Sequence, residues 1–272
     1  MDPTVDRTLS VDRTLRGRVA VVTGAGPGVG RSCALALAAD GADLALAARR
    51  AGPLEELAAE VAEATGRRVV AVPTDIADVA SADALVDRTV AELGRVDAVV
   101  NVATAGGARA AVADIDWDEY RHSFEVNVVG TLAVSRRAAQ HMTATGGGAI
   151  VQIGTLSTHS VPEKMAIYTS TKSALHTASM VLARELGPHN VRVNVVTPGY
   201  ITGNKLSAMW QRIADQTGGD AQQVSDRAAR SAALRRHVDP DDIAQAVLFL
   251  ASERGRGVTG VEVRVDAGQM IG

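Results

Sequence analysis

A chain of 272 residues is long enough for one large α/β domain and short for two. Its 28 basic and 31 acidic residues leave a net charge of −3 with no long basic run, which argues against nucleic acid as a partner. A single cysteine excludes an intramolecular disulfide scaffold, and neither a membrane-length apolar run nor a signal peptide is evident, so a cytoplasmic protein without a membrane partner is expected.

The chain opens with "VDRTLS" followed directly by "VDRTLR", a duplication too short to be a structural repeat. Residues 1–16 therefore read as a flexible N-terminal extension and 17–272 as one domain. From Arg18 onward strand and helix signals alternate. Candidate strands are 18–23, 42–49, 68–73, 96–101, 148–154, 191–196 and 260–266, all short and rich in Val, Ile or Ala. Helices fill the gaps. "SCALALAA" makes Cys33 a buried helix residue, since free cysteine usually behaves as a small apolar group. "DPDDIAQAVLFLAS" has Asp239 as N-cap and Pro240 in the first helical position. Apolar strands alternating with helices imply βαβ units, right-handed crossovers and a doubly wound parallel sheet of about seven strands with helices on both faces. The rhythm breaks only at 203–237, a polar helical stretch interrupted by Gly218 and Gly219. It reads as a lid over a substrate or as a surface hairpin; its helically spaced Leu206, Met209 and Trp210 either meet substrate or pack on the body.

The first strand ends in "TGAGPGVG" and a helix follows at once. Gly24, Gly28 and Gly30, with Val29 between the last two, let the backbone turn tightly and approach a pyrophosphate, and the helix that starts directly after them offers free N–H groups to its charge. The second strand selects the dinucleotide. The acid that would hold the ribose hydroxyls of NAD is replaced by Ala48, followed by Arg49 and Arg50. A guanidinium pairs with a 2′-phosphate, so NADP(H) is preferred, with NAD(H) possible.

Tyr168 and Lys172 stand four apart on a helical segment and so share one face. A phenol with a pKa near ~10 is a poor base at neutral pH. An ammonium within about 4–6 Å favours the phenolate and brings it toward useful proton exchange with an alcohol or carbonyl. Just upstream, "IVQIGTLSTHS" turns from an apolar strand into the hydroxyls of Thr155, Ser157, Thr158 and Ser160, which raises the question of which of them serves the site. His159 reads as a substrate-loop or surface residue. No metal is called for.

With the glycine turn and Tyr168/Lys172, "VNVVGT" (126–131), "VRVNVVTPG" (191–199) and "VDAG" (265–268) complete a set of motifs. In this order and spacing the chain resembles the short-chain dehydrogenases/reductases from Arg18 to Gly272. The resemblance implies a Rossmann-type fold and hydride transfer between NAD(P)(H) and an alcohol or ketone. It implies that Asn127 holds a proton-relay water, Asp75 and Ile76 meet the adenine side, Asn101 lies beside the adenosine ribose, and Pro198, Gly199 and Ile201 lie beside the nicotinamide. It also implies a homotetramer or homodimer, with 116–142 and 166–187 at an interface. Three departures stand out. The family's Asn-Asn-Ala-Gly is here Asn101-Val102-Ala103-Thr104. Its threonine five residues after the proline is Gly203, with Thr202 as the adjacent substitute. Its serine thirteen residues before the tyrosine is Thr155.

The resulting expectation is an NADP(H)-dependent oxidoreductase of a secondary alcohol or ketone, with Tyr168 as acid/base. Thr155 orients the oxygen, Ser157 competes for that role, and Met209 and Trp210 contribute to the substrate side. The alternatives are a catalytically silent dinucleotide-binding regulator and same-fold epimerase or dehydratase chemistry. The altered 101–104 loop and the threonine favour the silent protein.

Overall fold

A computed structural model describes residues 14–271. Seven strands form one parallel sheet: β1 (Val19–Thr23), β2 (Asp43–Ala48), β3 (Val69–Pro73), β4 (Ala98–Asn101), β5 (Gly148–Ile153), β6 (Val191–Pro198) and β7 (Glu262–Val265). Their spatial order is β3-β2-β1-β4-β5-β6-β7. Between them run the helices α1 (Val29–Ala39), α2 (Ala51–Thr65), α3 (Val79–Leu93), α4 (Trp117–Phe124), α5 (Thr131–Ala144), α6 (Ser157–Ser160), α7 (Ala166–Leu186), α8 (Asn204–Thr217), α9 (Ala221–Ser231) and α10 (Pro240–Ala251).

The strands read as continuous apolar runs because both faces are covered. Along β1, Ala20 and Val22 enter a core with Leu37 of α1, Leu54 of α2 and Ile243 of α10. Val19 and Val21 point the opposite way, toward Leu85 of α3 and Val134 and Met142 of α5. Cys33 is fully buried in the first core, and burial pushes its thiol up to about 12. The reversal of strand order between β1 and β4 opens a crevice outside their carboxyl ends, where a doubly wound sheet binds its ligand.

The duplicated segment lies mostly outside the described residues, but its last part does not. Leu15 is buried in the core, its N–H donates to the Asp40 carboxylate at 3.1 Å, and Thr14 Oγ1 donates to the same carboxylate at 2.7 Å. The ordered body thus takes in Thr14–Arg16, which the sequence assigns to the extension. Among the described residues no helix is long and apolar enough to cross a membrane, and no cluster of metal-ligating side chains occurs.

The 203–237 segment folds as α8 and α9, with Gly218 left-handed at the break (φ 69°). Its inner stripe is Leu206, Trp210 and Ala214, all buried. Trp210 stacks on His237 at a centroid distance of 5.6 Å and meets the edge of Tyr200 at 5.0 Å. The segment is thereby clamped to the loop after β6 and to the approach to α10.

Candidate active site

The glycine turn shows why a side chain is unwelcome at each position. A Cβ on Gly24 would strike the backbone of Ala103, and one on Gly30 would strike the carbonyl of Gly24. Gly28 is left-handed at φ 91° and faces open space, leaving room for a ligand where the chain passes into α1. Helix α1 has no side-chain cap and no acid in its first turn, so the amides of Val29 and Gly30 remain available to an anion.

Beside the turn lies a cavity of about 210 Å³ lined by Gly24, Arg49, Asp75 and Ile76 together with Thr104 and His122. Arg49 has no acid partner among the described residues and is exposed at the cavity wall. Arg50 does not line the cavity; it is the N-cap of α2. Asp75 accepts the N–H of Ala77 at 3.1 Å, which leaves carboxylate oxygen lone pairs for a ligand. The turn, the free helix terminus and this cavity lie side by side as one polar cradle.

Asn101, expected beside the ribose, turns its side chain away from the crevice, which leaves only its backbone to face a ligand there. Its side chain is 1% exposed and is spent inside the sheet. Oδ1 accepts from Thr23 Oγ1 at 3.1 Å and Nδ2 donates to Ser135 Oγ at 3.1 Å, the same oxygen that accepts from Gln152 Nε2 at 3.0 Å. β4 alternation turns Asn101 toward α5, beneath the crevice floor.

The catalytic candidates come from three elements. Lys172 and Tyr168 sit in α7; Thr155 follows β5; Asn127 lies in a π-helical turn, Glu125–Gly130, between α4 and α5. Such wide turns are rare and collect at functional sites. The Asn127 side chain is saturated. It donates to the Ala105 carbonyl (2.8 Å) and Thr171 Oγ1 (2.9 Å), and accepts from Thr104 Oγ1 (3.0 Å) and the Ala105 N–H (2.8 Å). A relay water could therefore use only its backbone carbonyl.

Thr104, which stands where the resembling family has glycine, is the residue that sequence reasoning passed over. Its hydroxyl and that of Thr155 both favour ionisation of the Tyr168 phenol by hydrogen bonding, yet burial outweighs them and holds the phenol above its ordinary value. The expected lowering by Lys172 is absent. Lys172 is buried with no anion beside it, its ammonium donates to the Ile153 carbonyl at 2.9 Å, and burial brings its own pKa down to about 8.

The two hydroxyl candidates separate clearly. Thr155 Oγ1 accepts the backbone N–H of Ser157 at 3.3 Å and lies 3.2 Å from Ser157 Oγ. Ser157 is buried and supports Thr155 from behind, instead of lining the substrate side. His159 pairs with Glu262 at 2.9 Å, away from the phenol.

A second cavity, also about 210 Å³, is lined by Gly106, Gly107, Ala108, Arg109, Met165 and Tyr168. Met209 of α8 reaches one of its lining residues, its sulfur 4.0 Å from Arg109 Nη2. Trp210 faces inward to its aromatic partners, so its expected place at the substrate is not supported; helical spacing alone could not tell the two apart. Thr202 is also committed elsewhere: its hydroxyl donates to Asp239 at the start of α10 and its N–H to the Val238 carbonyl at 2.9 Å. Pro198, Gly199 and Ile201 carry the chain from the end of β6 toward the lid. A Cβ on Gly199 would meet Asp266 Cα at 2.8 Å, so Gly199 sits tight against the "VDAG" segment.

Residues 24–270 match the family described as enoyl-(acyl carrier protein) reductase. An uncharacterised oxidoreductase of Methylorubrum extorquens is 37% identical over 93% of this chain and 98% of its own. L-sorbose reductase of Gluconobacter frateurii, solved with NADPH and L-sorbose, superposes with a TM-score of 0.89 at 30% identity, covering 95% of this chain and 98% of its own. An NAD⁺-bound xylitol dehydrogenase superposes with a TM-score of 0.87 at 29% identity, covering 93% and 99%. This chain belongs to the short-chain dehydrogenase/reductase family. It is an oxidoreductase that works between CH–OH and C=O with a nicotinamide dinucleotide.

Proposed function

We propose that the protein is an NADP(H)-dependent ketone reductase and secondary-alcohol dehydrogenase, with Tyr168 as the proton donor and acceptor. The observation that carries this reading is the convergence of Tyr168, Thr155 and Thr104, with Thr104 on the wall of the cavity beside the glycine turn and Tyr168 on the wall of the second cavity. When bound, the nicotinamide supplies or takes the hydride. Gly28, Val29 and Gly30 would hold the pyrophosphate, Arg49 the 2′-phosphate, and Asp75 and Ile76 the adenine side. Pro198, Gly199 and Ile201 would border the nicotinamide.

The phenol of Tyr168, protonated at neutral pH because burial raises it, hands its proton to the substrate oxygen during reduction. Thr155 Oγ1 accepts the Ser157 N–H, and its hydrogen, directed at the phenol before substrate arrives, would turn to steady the developing alkoxide. Lys172 would hold the ribose, and its ammonium gives a proton back to the phenolate and regains one from a water held at the Asn127 backbone carbonyl. The neighbours named for L-sorbose and xylitol support small hydroxylated ketones as the first substrates to try. The exposed apolar Trp117, Phe124, Val129 and Val181 on α4, the π turn and α7 support assembly with further copies of the chain.

Fluorescence titration tests the cofactor reading first. NADPH is expected to bind at least about tenfold more tightly than NADH, and Arg49→Gln to erase that preference, a change of roughly 1.4 kcal/mol. Equal affinities in the unmodified protein would make Arg49 an ordinary surface residue. The hydroxyl assignment is tested by kinetics. Thr155→Ala is expected to lower kcat by about 10²-fold, in line with losing one oxyanion donor. Ser157→Ala, which removes only support, is expected to cost less than about tenfold. The reverse ranking would hand the role to Ser157.

A further inference from the structure

We infer that the substrate carries a carboxylate, read by Arg109; this rests on the proposed oxidoreductase site and names what else its substrate must bear. Each of the two cavities is lined by one guanidinium, Arg49 at the cofactor cavity and Arg109 at the cavity of Tyr168. Nothing in the cofactor reading uses Arg109. It lies on the loop between β4 and α4 and shares its cavity with the phenol of Tyr168.

The loop is built to hold its position. The Ala108 N–H donates to Glu119 Oε1 at 2.7 Å, and the Ala110 N–H donates to the Lys164 carbonyl at 3.1 Å. A Cβ on Gly107 would meet Ile167 Cγ2 at 2.7 Å, so the loop presses on α7 one residue before Tyr168. Arg109 is thus presented by a backbone fastened on both sides. Glu119, which holds the loop through the Ala108 amide, makes no ion pair with Arg109. Among the described residues the guanidinium has no carboxylate or carbonyl partner; its one polar neighbour is the Met209 thioether at 4.0 Å.

A guanidinium offers five donors in a planar fork that fits a carboxylate through two parallel bonds. Exposed on the wall of the cavity that Tyr168 also lines, it attracts an anionic substrate and favours it over a neutral one. Arg109 and Tyr168 line the same cavity of about 210 Å³, so one small molecule bound there can meet both. The carbonyl meets Tyr168 and the carboxylate meets Arg109, which describes small oxo acids and hydroxy acids.

The test uses matched pairs of ketones: 4-oxopentanoate and 3-oxocyclohexanecarboxylate, each against its own methyl ester, with NADPH. In at least one pair the acid is expected to exceed the ester in kcat/KM by about tenfold or more. In Arg109→Gln that acid-to-ester ratio is expected to collapse toward one, and in Arg109→Lys to recover in part. A merely structural arginine would lower acid and ester together and leave the ratio unmoved, which would overturn the inference. So would an unmodified protein that reduces the esters as well as the acids; the oxidoreductase reading would then stand without it. If neither acid nor ester is reduced, calorimetric titration of the NADP⁺ complex with both acids decides separately. Binding lost in Arg109→Gln keeps the carboxylate site while the ketone reading fails, and no binding of either acid overturns the site.

Discussion

Tyr168→Phe is expected to lower kcat by about 10³-fold while the protein still binds its dinucleotide. The magnitude follows from removing the one group placed to donate a proton, since positioned acids and bases contribute about 10²–10⁴-fold. Nothing near the phenol can replace it: Thr155 and Thr104 are weaker acids, and His159 is held at Glu262. The raised phenol also sets the pH dependence. Reduction needs the protonated form, which burial preserves through neutral pH and beyond, so the reductive rate is expected to fall only on the alkaline side. Oxidation needs the phenolate and is expected to rise with pH over the same range. Stopped-flow reduction and oxidation across pH check both limbs. Retained turnover in Tyr168→Phe would remove the tyrosine from the mechanism altogether.

Lys172→Met is expected to abolish turnover and, at the same time, to make the protein more stable at pH 7. The free chain buries an ammonium with a single carbonyl for company, and its pKa falls from 10.5 to about 8. The unfolded chain therefore binds more protons between those two values, and stability rises with pH across that window. Below about pH 8 the folded protein bears the whole cost of the buried charge, about 3 kcal/mol by the gap between the values. Methionine fills similar volume without charge, and loss of the Ile153 bond returns about 1 kcal/mol of that gain. A net rise of several °C in the unfolding midpoint at pH 7 is expected, shrinking as the pH approaches 10.5. Thermal unfolding of both proteins at pH 7 and 10 measures it. A variant less stable at pH 7 would mean that the ammonium is a structural asset instead of a functional burden.

The strands and helices were legible because their signals are local. β-Branched runs mark β1 and β6, and Asp239 with Pro240 marks the start of α10. Thr155 was legible by its distance from Tyr168, a spacing that survives folding because both ends are fixed by β5 and α7. What could not be read were contacts between distant segments. The Thr104 bond to Asn127 spans 23 residues, and no local pattern announces it. His122 reaches the cofactor cavity only because α4 packs where it does. Trp210 and Met209 are adjacent on one helix, and only the position of Tyr200 and His237 decides which of them faces inward. The sign of the Tyr168 shift was misread for a related reason: the motif gives the neighbour, Lys172, but not the depth of burial that opposes it.

The buried row of Thr23, Asn101, Ser135 and Gln152 has a consequence for how the sheet assembles. Strands of valine and alanine are nearly interchangeable, and an apolar parallel pair slipped by two residues would still bury the same kind of surface. Polar groups carry the information that valine lacks. Thr23 stands opposite Asn101, and Asn101 opposite Gln152, at the carboxyl ends of β1, β4 and β5. All three are tied to one helix, directly or in sequence, through the serine whose own hydrogen goes to the Thr131 carbonyl at 2.7 Å. A slipped strand would strand several of these groups dry and unmatched, at a cost of about 1–3 kcal/mol for each. The row works as an alignment key. It levels three strand tips to a common height, and so decides where the floor lies beneath everything that binds above it.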